Sequence, residues 1–166
     1  MRETDEARRA WWLTRAVLSI LVAVAIGAPL VLAQSRPAEQ LAAAKTVSCQ
    51  FTAVSVGTWS KAGAVQAETK PVTLTVGFDS IETDGGTAMV VGPFGPSDII
   101  VRLSTNTLHF VQAFREGPLY TTTIFPSETR DGKLKAAHTR HEYTDVSLPG
   151  YTSRPEQYYG ECAIVK

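Results

Sequence analysis

Residues 138–142, with the sequence His-Thr-Arg-His-Glu, form the densest group of side chains able to ligate a metal or move a proton. His138 and His141 are three positions apart, a spacing that places two side chains on one face of a helix but on opposite faces of a strand. Residues 134–143 have the pattern of a strand, so we expect the two rings to point to opposite faces. A metal site built from both histidines would then require a β-bulge.

The alternate residues of this predicted strand, His138, Arg140 and Glu142, share one face and form a polar row. Such a row suits the interior of a β-barrel, where polar groups need hydrogen-bond partners to offset the loss of water. In a second interpretation, the sheet curls so that His109, which lies two predicted strands earlier, approaches His138 and His141. Together with Glu142 these histidines could serve a metal-dependent or hydrolytic enzyme.

Other enzyme motifs are missing from the sequence. His141 and Glu142 begin an order that resembles a helical zinc-protease motif, but Asp145 stands where the second histidine belongs. No nucleophile elbow, phosphate loop or dinucleotide fingerprint is present. We therefore predict no catalytic residue, no metal and no cofactor, and keep the histidine enzyme as the alternative.

Four of the five tyrosines lie in the last quarter of the chain. Aromatic side chains in loops either form a contact surface for a sugar or a protein, or cap the end of a barrel. Candidate binding residues are therefore drawn from the histidines, the polar row and these tyrosines: His109, His138, Arg140, His141, Glu142, Tyr143, Tyr151 and Tyr158.

Short apolar or alternating segments bounded by turn residues follow one another along the chain. They are residues 47–59, a strand starting at Pro71, and residues 87–91, 98–103, 107–114, 119–125, 133–144 and 158–165. Residues 60–70 and 145–156 are predicted to be loops. The fold class is therefore all-β, an antiparallel meander of about eight strands. A closed or half-open barrel would remove the exposed edges of such a sheet, and a two-sheet sandwich is the alternative.

The two cysteines of the chain support closure of the meander. Cys49 lies in the first predicted strand and Cys162 in the last, and these strands are neighbours in a closed barrel. An even number of cysteines in an exported protein predicts a disulfide. Such a bridge would enclose a long loop and contribute about 4 to 5 kcal/mol in the chain-entropy model.

Residues 1–33 have the order of a secretory signal peptide, which would form a short helix ahead of the β-domain. Arg8, Arg9 and Arg15 precede a charge-free apolar run that ends at Ala33, and this predicts cleavage after that residue. An uncleaved inner-membrane anchor over residues 16–33 is the alternative, since about 20 apolar residues span a bilayer. The paired arginines followed by apolar residues also match a twin-arginine export signal.

The remaining chain is predicted to be a linker or a single helical turn over residues 34–46 and one β-domain over residues 47–166, located in the periplasm or outside the cell. The first 33 residues hold four of the 16 basic and three of the 16 acidic side chains, which leaves 12 against 13. Without a basic excess we expect no nucleic-acid binding. Contact with a membrane is expected only through the N-terminal segment.

Three short features resemble small exported bacterial β-proteins of unassigned function: the strand Leu108-His109-Phe110, the His-x-x-His segment of residues 138–141, and the ending of residues 159–162, Tyr-Gly-Glu-Cys. The resemblance implies export and a β-fold and supplies no activity. We expect a non-enzymatic envelope domain that binds a small apolar ligand or a protein partner. A structural envelope protein without a ligand is a further alternative.

Overall fold

Antiparallel strands and one short helix make up the described part of the chain. The computed structural model describes residues 36–92, 95–115, 117–144 and 153–165. The elements are helix α1 (Arg36–Ala43) and strands β1 (Thr46–Trp59), β2 (Val65–Glu82), β3 (Thr87–Gly92), β4 (Gly95–Ser104), β5 (Thr107–Ala113), β6 (Leu119–Glu128), β7 (Leu134–His141) and β8 (Glu156–Val165). The predicted export signal and the candidate binding residue Tyr151 lie outside the described residues.

The eight strands are hydrogen-bonded in chain order, and the sheet closes into a barrel because β1 pairs with both β2 and β8. All neighbouring strands are antiparallel, so the connections are consecutive hairpins. The closed meander predicted from the sequence is confirmed, and the two-sheet sandwich is wrong. Closure pairs the two edges that an open sheet would leave exposed.

A disulfide crosses the closing seam, which is the pairing of β1 with β8. Cys49 and Cys162 are directly opposite in the register of the two strands, and their Cα atoms are 3.9 Å apart. Both side chains are buried, so the bridge lies inside the barrel. The predicted pairing of these two cysteines is confirmed. Disulfides persist in oxidising compartments, and the bridge is therefore compatible with an exported protein.

Side chains along each strand alternate between the interior and the outer surface. On β5, for example, Leu108 and Phe110 are buried whereas His109 between them faces outward and is half-buried. The buried cluster at the end of the barrel nearest α1 is wholly apolar; its members include Leu41, Ala44, Val47, Ile81, Leu108, Ile124 and Leu134. This end of the barrel is filled, in contrast to the other end described below.

Helix α1 covers the filled end of the barrel. Leu41 is fully buried and Ala44 nearly so, and the carbonyl of Lys45 accepts a hydrogen bond of 3.1 Å from the backbone N–H of Ile81. The sequence predicts only a linker or one turn here. The helix is eight residues long. Leu41 near its end and Ala44 directly after it belong to the buried apolar cluster of the barrel. Within the described ranges, no helix is long and apolar enough to cross a membrane.

Strand β2 starts earlier than the sequence predicts. The predicted loop over residues 60–70 is wrong in its second half, because β2 begins at Val65 and pairs there with the end of β1. Pro71 lies inside β2 rather than at its start, next to the β-bulge between Phe51 and Ala53 of β1. Residues 65–71 of β2 are exposed on both faces, so this segment lacks the alternation of apolar and polar residues that identifies a strand.

The early part of β2 also forms an edge in the barrel wall. β3 pairs with β2 only from Gly77 onward, and in the described chain the preceding residues of β2 pair with β1 alone. Glu68 and Lys70 lie on this edge with 3.4 Å between their Oε1 and Nζ atoms, and Pro71 follows them. Charged residues and proline are typical of strand edges that resist pairing with another chain.

Removal of the disulfide is expected to destabilise the barrel. The bridge joins residues 113 positions apart, and a loop of this length corresponds to about 4 to 5 kcal/mol of unfolding free energy in the chain-entropy model. The variant Cys49→Ala/Cys162→Ala should lose stability of that order in urea denaturation. Dithiothreitol should bring the wild type close to the variant and leave the variant unchanged. Two titratable thiols in the untreated wild type would contradict the closed seam.

A second test concerns the backbone contact at the same seam. A Cβ atom at Gly160 would lie 2.1 Å from the carbonyl oxygen of Gln50 and 2.6 Å from the Cα of Phe51. Both atoms are backbone and cannot rotate away, so Gly160→Ala should destabilise the protein by about 1 to 3 kcal/mol in urea denaturation. Gly57→Ala is the control, because its nearest heavy atom is 3.9 Å away. Equal stability of the two variants would show that the strands can separate at no cost.

Candidate functional site

A cavity of about 260 Å³ occupies the interior of the barrel beyond its filled end. It is lined by residues of β2 to β7 and of the turn after β5: Leu74, Thr75, Val76, Phe78, Val90, Gly92, Gly95, Ser97, Ile99, Phe110, Gln112, Phe114, Tyr120, Thr122, His138 and Arg140. The exposed members of this set are Thr75, Gly92, Gly95 and Ser97. They lie on β2, β3 and β4, so this part of the cavity lining is exposed to solvent.

Two stacked phenylalanine rings form the floor of the cavity. Phe78 on β2 and Phe110 on β5 have ring centroids 3.8 Å apart and planes inclined by 8°, and both side chains are buried. Because these strands lie on different sides of the barrel, the stacked pair spans its width. It separates the filled end from the cavity and gives the cavity an apolar base.

The opposite wall, on β6 and β7, is polar. The cross-strand pair of Thr122 and His138 is buried, and the Thr122 Oγ1 and His138 Nδ1 atoms are 2.8 Å apart. Arg140, two residues further along β7, donates from Nε to His138 Nε2 at 3.4 Å. Since Nε2 accepts, we assign the ring proton to Nδ1, which donates to Thr122. Both nitrogens of the histidine ring are therefore engaged.

Aromatic rings enclose His138 and keep it neutral. The ring centroids of Phe51 and Tyr158 each lie 5.6 Å from that of His138, and the centroid of Tyr120 lies 6.0 Å away. Burial among these rings, together with the positive charge of Arg140, lowers the pKa of His138 to about 3. The imidazole is consequently uncharged over the whole physiological range.

Arg140 lies between two tyrosine rings. The guanidinium carbon is 5.2 Å from the centroid of Tyr120 and 5.1 Å from that of Tyr158, distances at which a cation is attracted by the ring face. No carboxylate oxygen of the described chain lies within ion-pair distance of this guanidinium. Its position is thus determined by the tyrosine rings and the bond to His138.

The nearest carboxylates are held by the hydroxyl groups of the same tyrosines. Tyr120 donates to Glu142 Oε2 at 3.2 Å, and Tyr158 donates to Glu156 Oε2 in a short hydrogen bond. Burial, reinforced by these carboxylates, raises the pKa of both tyrosine hydroxyls, so that they stay protonated and act as donors. Neither Glu142 nor Glu156 lines the cavity.

The histidines named by the sequence do not come together. His138 points into the barrel, whereas His141 is exposed at the end of β7 and His109 faces outward, with Nδ1 3.1 Å from the Thr123 Oγ1 atom. The expected placement of His138 and His141 on opposite faces is confirmed. Across the described residues there is no group of three or more histidine, cysteine or acidic side chains arranged to hold a metal.

The other candidate residues lie in two places. Arg140 lines the cavity and Tyr158 is buried behind it. Tyr143, which follows β7 because that strand ends at His141 rather than continuing to residue 144 as predicted, is exposed outside the cavity. Its ring lies 5.6 Å from that of Trp59, on the β1–β2 hairpin, and the guanidinium carbon of Arg154 lies 4.7 Å above it.

Sequence reasoning missed the partners that complete the polar wall. The sequence predicts only a β-strand for the segment of Tyr120 and Thr122, and it predicts a loop at Glu156, where β8 begins. Their alternation with outward-facing residues was visible in the sequence. What it could not show was the register that sets Tyr120 opposite Arg140 and Thr122 opposite His138.

The neutral state of His138 predicts a pH-dependent contribution to stability. The unfolded chain protonates this ring below about pH 6.5, but the folded chain does so only near pH 3. The contribution of His138 to the unfolding free energy should therefore be complete above about pH 6.5. Below that pH the unfolding free energy should fall as the pH decreases, with a limiting slope of about 1.4 kcal/mol per pH unit. Urea denaturation at pH 7 to 4 measures this slope.

The variant His138→Asn removes the titrating group and should give a shallower pH dependence than the wild type, in addition to any constant loss of stability. His141→Asn removes a histidine from the exposed outer surface and controls for the change of residue type. Parallel curves for the wild type and His138→Asn over this range would contradict a neutral, buried His138.

The chain matches no protein-family model, no curated protein and no solved structure. The cavity, its phenylalanine floor and its polar wall are therefore the features from which a function can be inferred.

Proposed function

We propose that the protein is a binding domain that takes up a small, largely apolar molecule in the interior of its barrel. The observation that carries this proposal is the cavity of about 260 Å³, which is lined by residues of six of the eight strands, β2 to β7. Ligand sites in proteins are typically concave and mostly apolar with a few polar groups that fix orientation. Here the stacked phenylalanine floor provides the apolar surface, and the polar wall of β6 and β7 provides the polar groups.

The size of the cavity limits the ligand. An apolar cavity of about 150 Å³ accommodates benzene, so in proportion a volume of about 260 Å³ holds about ten non-hydrogen atoms. This is slightly below the usual range for drug-sized ligands. A short straight-chain or monocyclic compound fits these limits, whereas a long-chain lipid would extend through the opening into solvent.

The geometry favours binding over catalysis. The two ring nitrogens of His138 are engaged by Thr122 and Arg140, and its low pKa leaves the ring a weak base. A general base needs free access to the proton it removes and a pKa near the working pH. With His109 and His141 on the outer surface, the described chain does not assemble the alternative site of three histidines and Glu142.

Export supports the same proposal. The disulfide of Cys49 and Cys162 suits an oxidising compartment, and residues 1–33 have the order of a secretory signal in the sequence. A small binding domain of this kind would act in the periplasm or outside the cell. The cavity is already formed in the folded barrel, which suits carriage or sensing of a small molecule rather than chemical turnover.

Filling the cavity is expected to weaken binding. Val90 lines the cavity and its neighbour Val91 points outward and is 46% exposed. Octanoate and octanamide each have ten non-hydrogen atoms and serve as probes in isothermal titration calorimetry. Val90→Phe should weaken the binding of at least one probe by about tenfold or more, or about 1.4 kcal/mol, while Val91→Phe should bind as the wild type does.

Thermal unfolding of both variants shows whether each is folded before its affinity is compared. The proposal is contradicted if the wild type binds neither probe at millimolar concentration and native mass spectrometry of the protein from its own host shows no bound small molecule. Equal loss of binding in Val90→Phe and Val91→Phe would place the binding site outside the cavity and also contradict it.

A further inference from the structure

We propose, building on the cavity binding inferred above, that the ligand is a small monocarboxylate whose apolar body rests on the phenylalanine floor and whose carboxylate is bound by Arg140. Of the described residues that line the cavity, Arg140 is the one with a charged side chain. A partly buried guanidinium without a carboxylate within ion-pair distance is completed by an anionic ligand. The planar fork of an arginine matches the two oxygens of a carboxylate.

The hydrogen bonds of the polar wall run in one direction and leave donors facing the cavity. Arg140 donates Nε to His138, and the histidine donates Nδ1 to the Thr122 oxygen. The two terminal amino groups of the guanidinium and the hydroxyl proton of Thr122 remain for a ligand. The acceptor site of His138 is already occupied, so this part of the wall offers hydrogen-bond donors to the cavity and selects a ligand that accepts.

Two negatively charged side chains lie close to this wall. Glu142 and Glu156 accept hydrogen bonds from Tyr120 and Tyr158, the tyrosines whose rings flank Arg140. These bonds engage both carboxylates, and neither glutamate is among the residues that line the cavity. Arg140 is therefore the charged group of the cavity lining, while both glutamates are hydrogen-bonded to tyrosines and lie outside that lining, so an incoming carboxylate contacts the guanidinium.

The side chain of Arg140 is already oriented before a ligand binds. Stacking between two tyrosine rings and the bond to His138 restrain a side chain that otherwise has large rotational freedom. A restrained donor loses less entropy on binding, which increases affinity for a ligand of matching geometry. The same restraint directs selectivity toward a planar group with two acceptor oxygens.

The test compares octanoate with octanamide, which have the same number of non-hydrogen atoms and differ in charge. Calorimetry should show octanoate binding about tenfold or more tightly to the wild type, since hydrogen bonds to charged groups are about twice as strong as neutral ones. Arg140→Gln should bring the ratio of the two affinities close to one by weakening octanoate alone. Arg140→Lys should keep part of the preference, because it keeps the charge and loses the fork.

Arg130→Gln removes an arginine from an exposed turn and serves as the matched control; it should keep the wild-type preference. If both probes bind the wild type equally, and bind Arg140→Gln with the same affinity, the cavity site stands and the carboxylate proposal is wrong. If Val90→Phe leaves the binding of both probes unchanged, the cavity proposal itself fails. The two proposals are therefore separated by different variants.

Discussion

The pairing of β1 with β8 is the constraint on which the rest of the structure depends. It converts a hairpin chain with two exposed edges into a closed wall, and thereby creates an interior. Two features hold the seam: the disulfide between Cys49 and Cys162, and the close approach of the two backbones at Gly160. The first limits the expansion of the unfolded chain and the second requires a residue without a side chain. Together they bring the ends of the sheet to one fixed register.

Closure at this register determines how the interior is divided. With a side-chain period of two, each strand sends alternate residues inward, and the residues at one level of the barrel meet as a layer. Near α1 these layers contain Leu108, Ile124 and Leu134, and the helix adds Leu41 above them. Toward the other end the inward positions of β3 and β4 carry Gly92, Gly95 and Ser97. These residues are too small to fill the volume, and the cavity results.

Much of the fold was predictable because its signals are local. Turn residues separate the strands, alternation identifies their faces, and the positions of Cys49 and Cys162 indicate closure, all without knowledge of contacts. The start of β2 was not predictable, because a strand segment that is exposed on both faces has no apolar pattern. Only half of the candidate site could be anticipated in the same way. His138 and Arg140 share a face by period, but Tyr120 reaches them through a register between strands that no single segment contains.

The polar wall shows how a barrel can hold a cation in its interior without neutralising it locally. A salt bridge between Arg140 and Glu156, which are opposite in register, would satisfy both charges and leave the cavity without a charged group. Instead, the hydroxyl of Tyr158 donates a hydrogen bond to the carboxylate of Glu156, and the ring face of Tyr158 contacts the guanidinium of Arg140. Tyr120 does the same with Glu142. Each tyrosine thus keeps the opposite charges apart while compensating both. For the carboxylate ligand proposed above, selectivity would depend on Tyr158, Glu142 and Glu156, which lie outside the cavity lining, as well as on Arg140 within it.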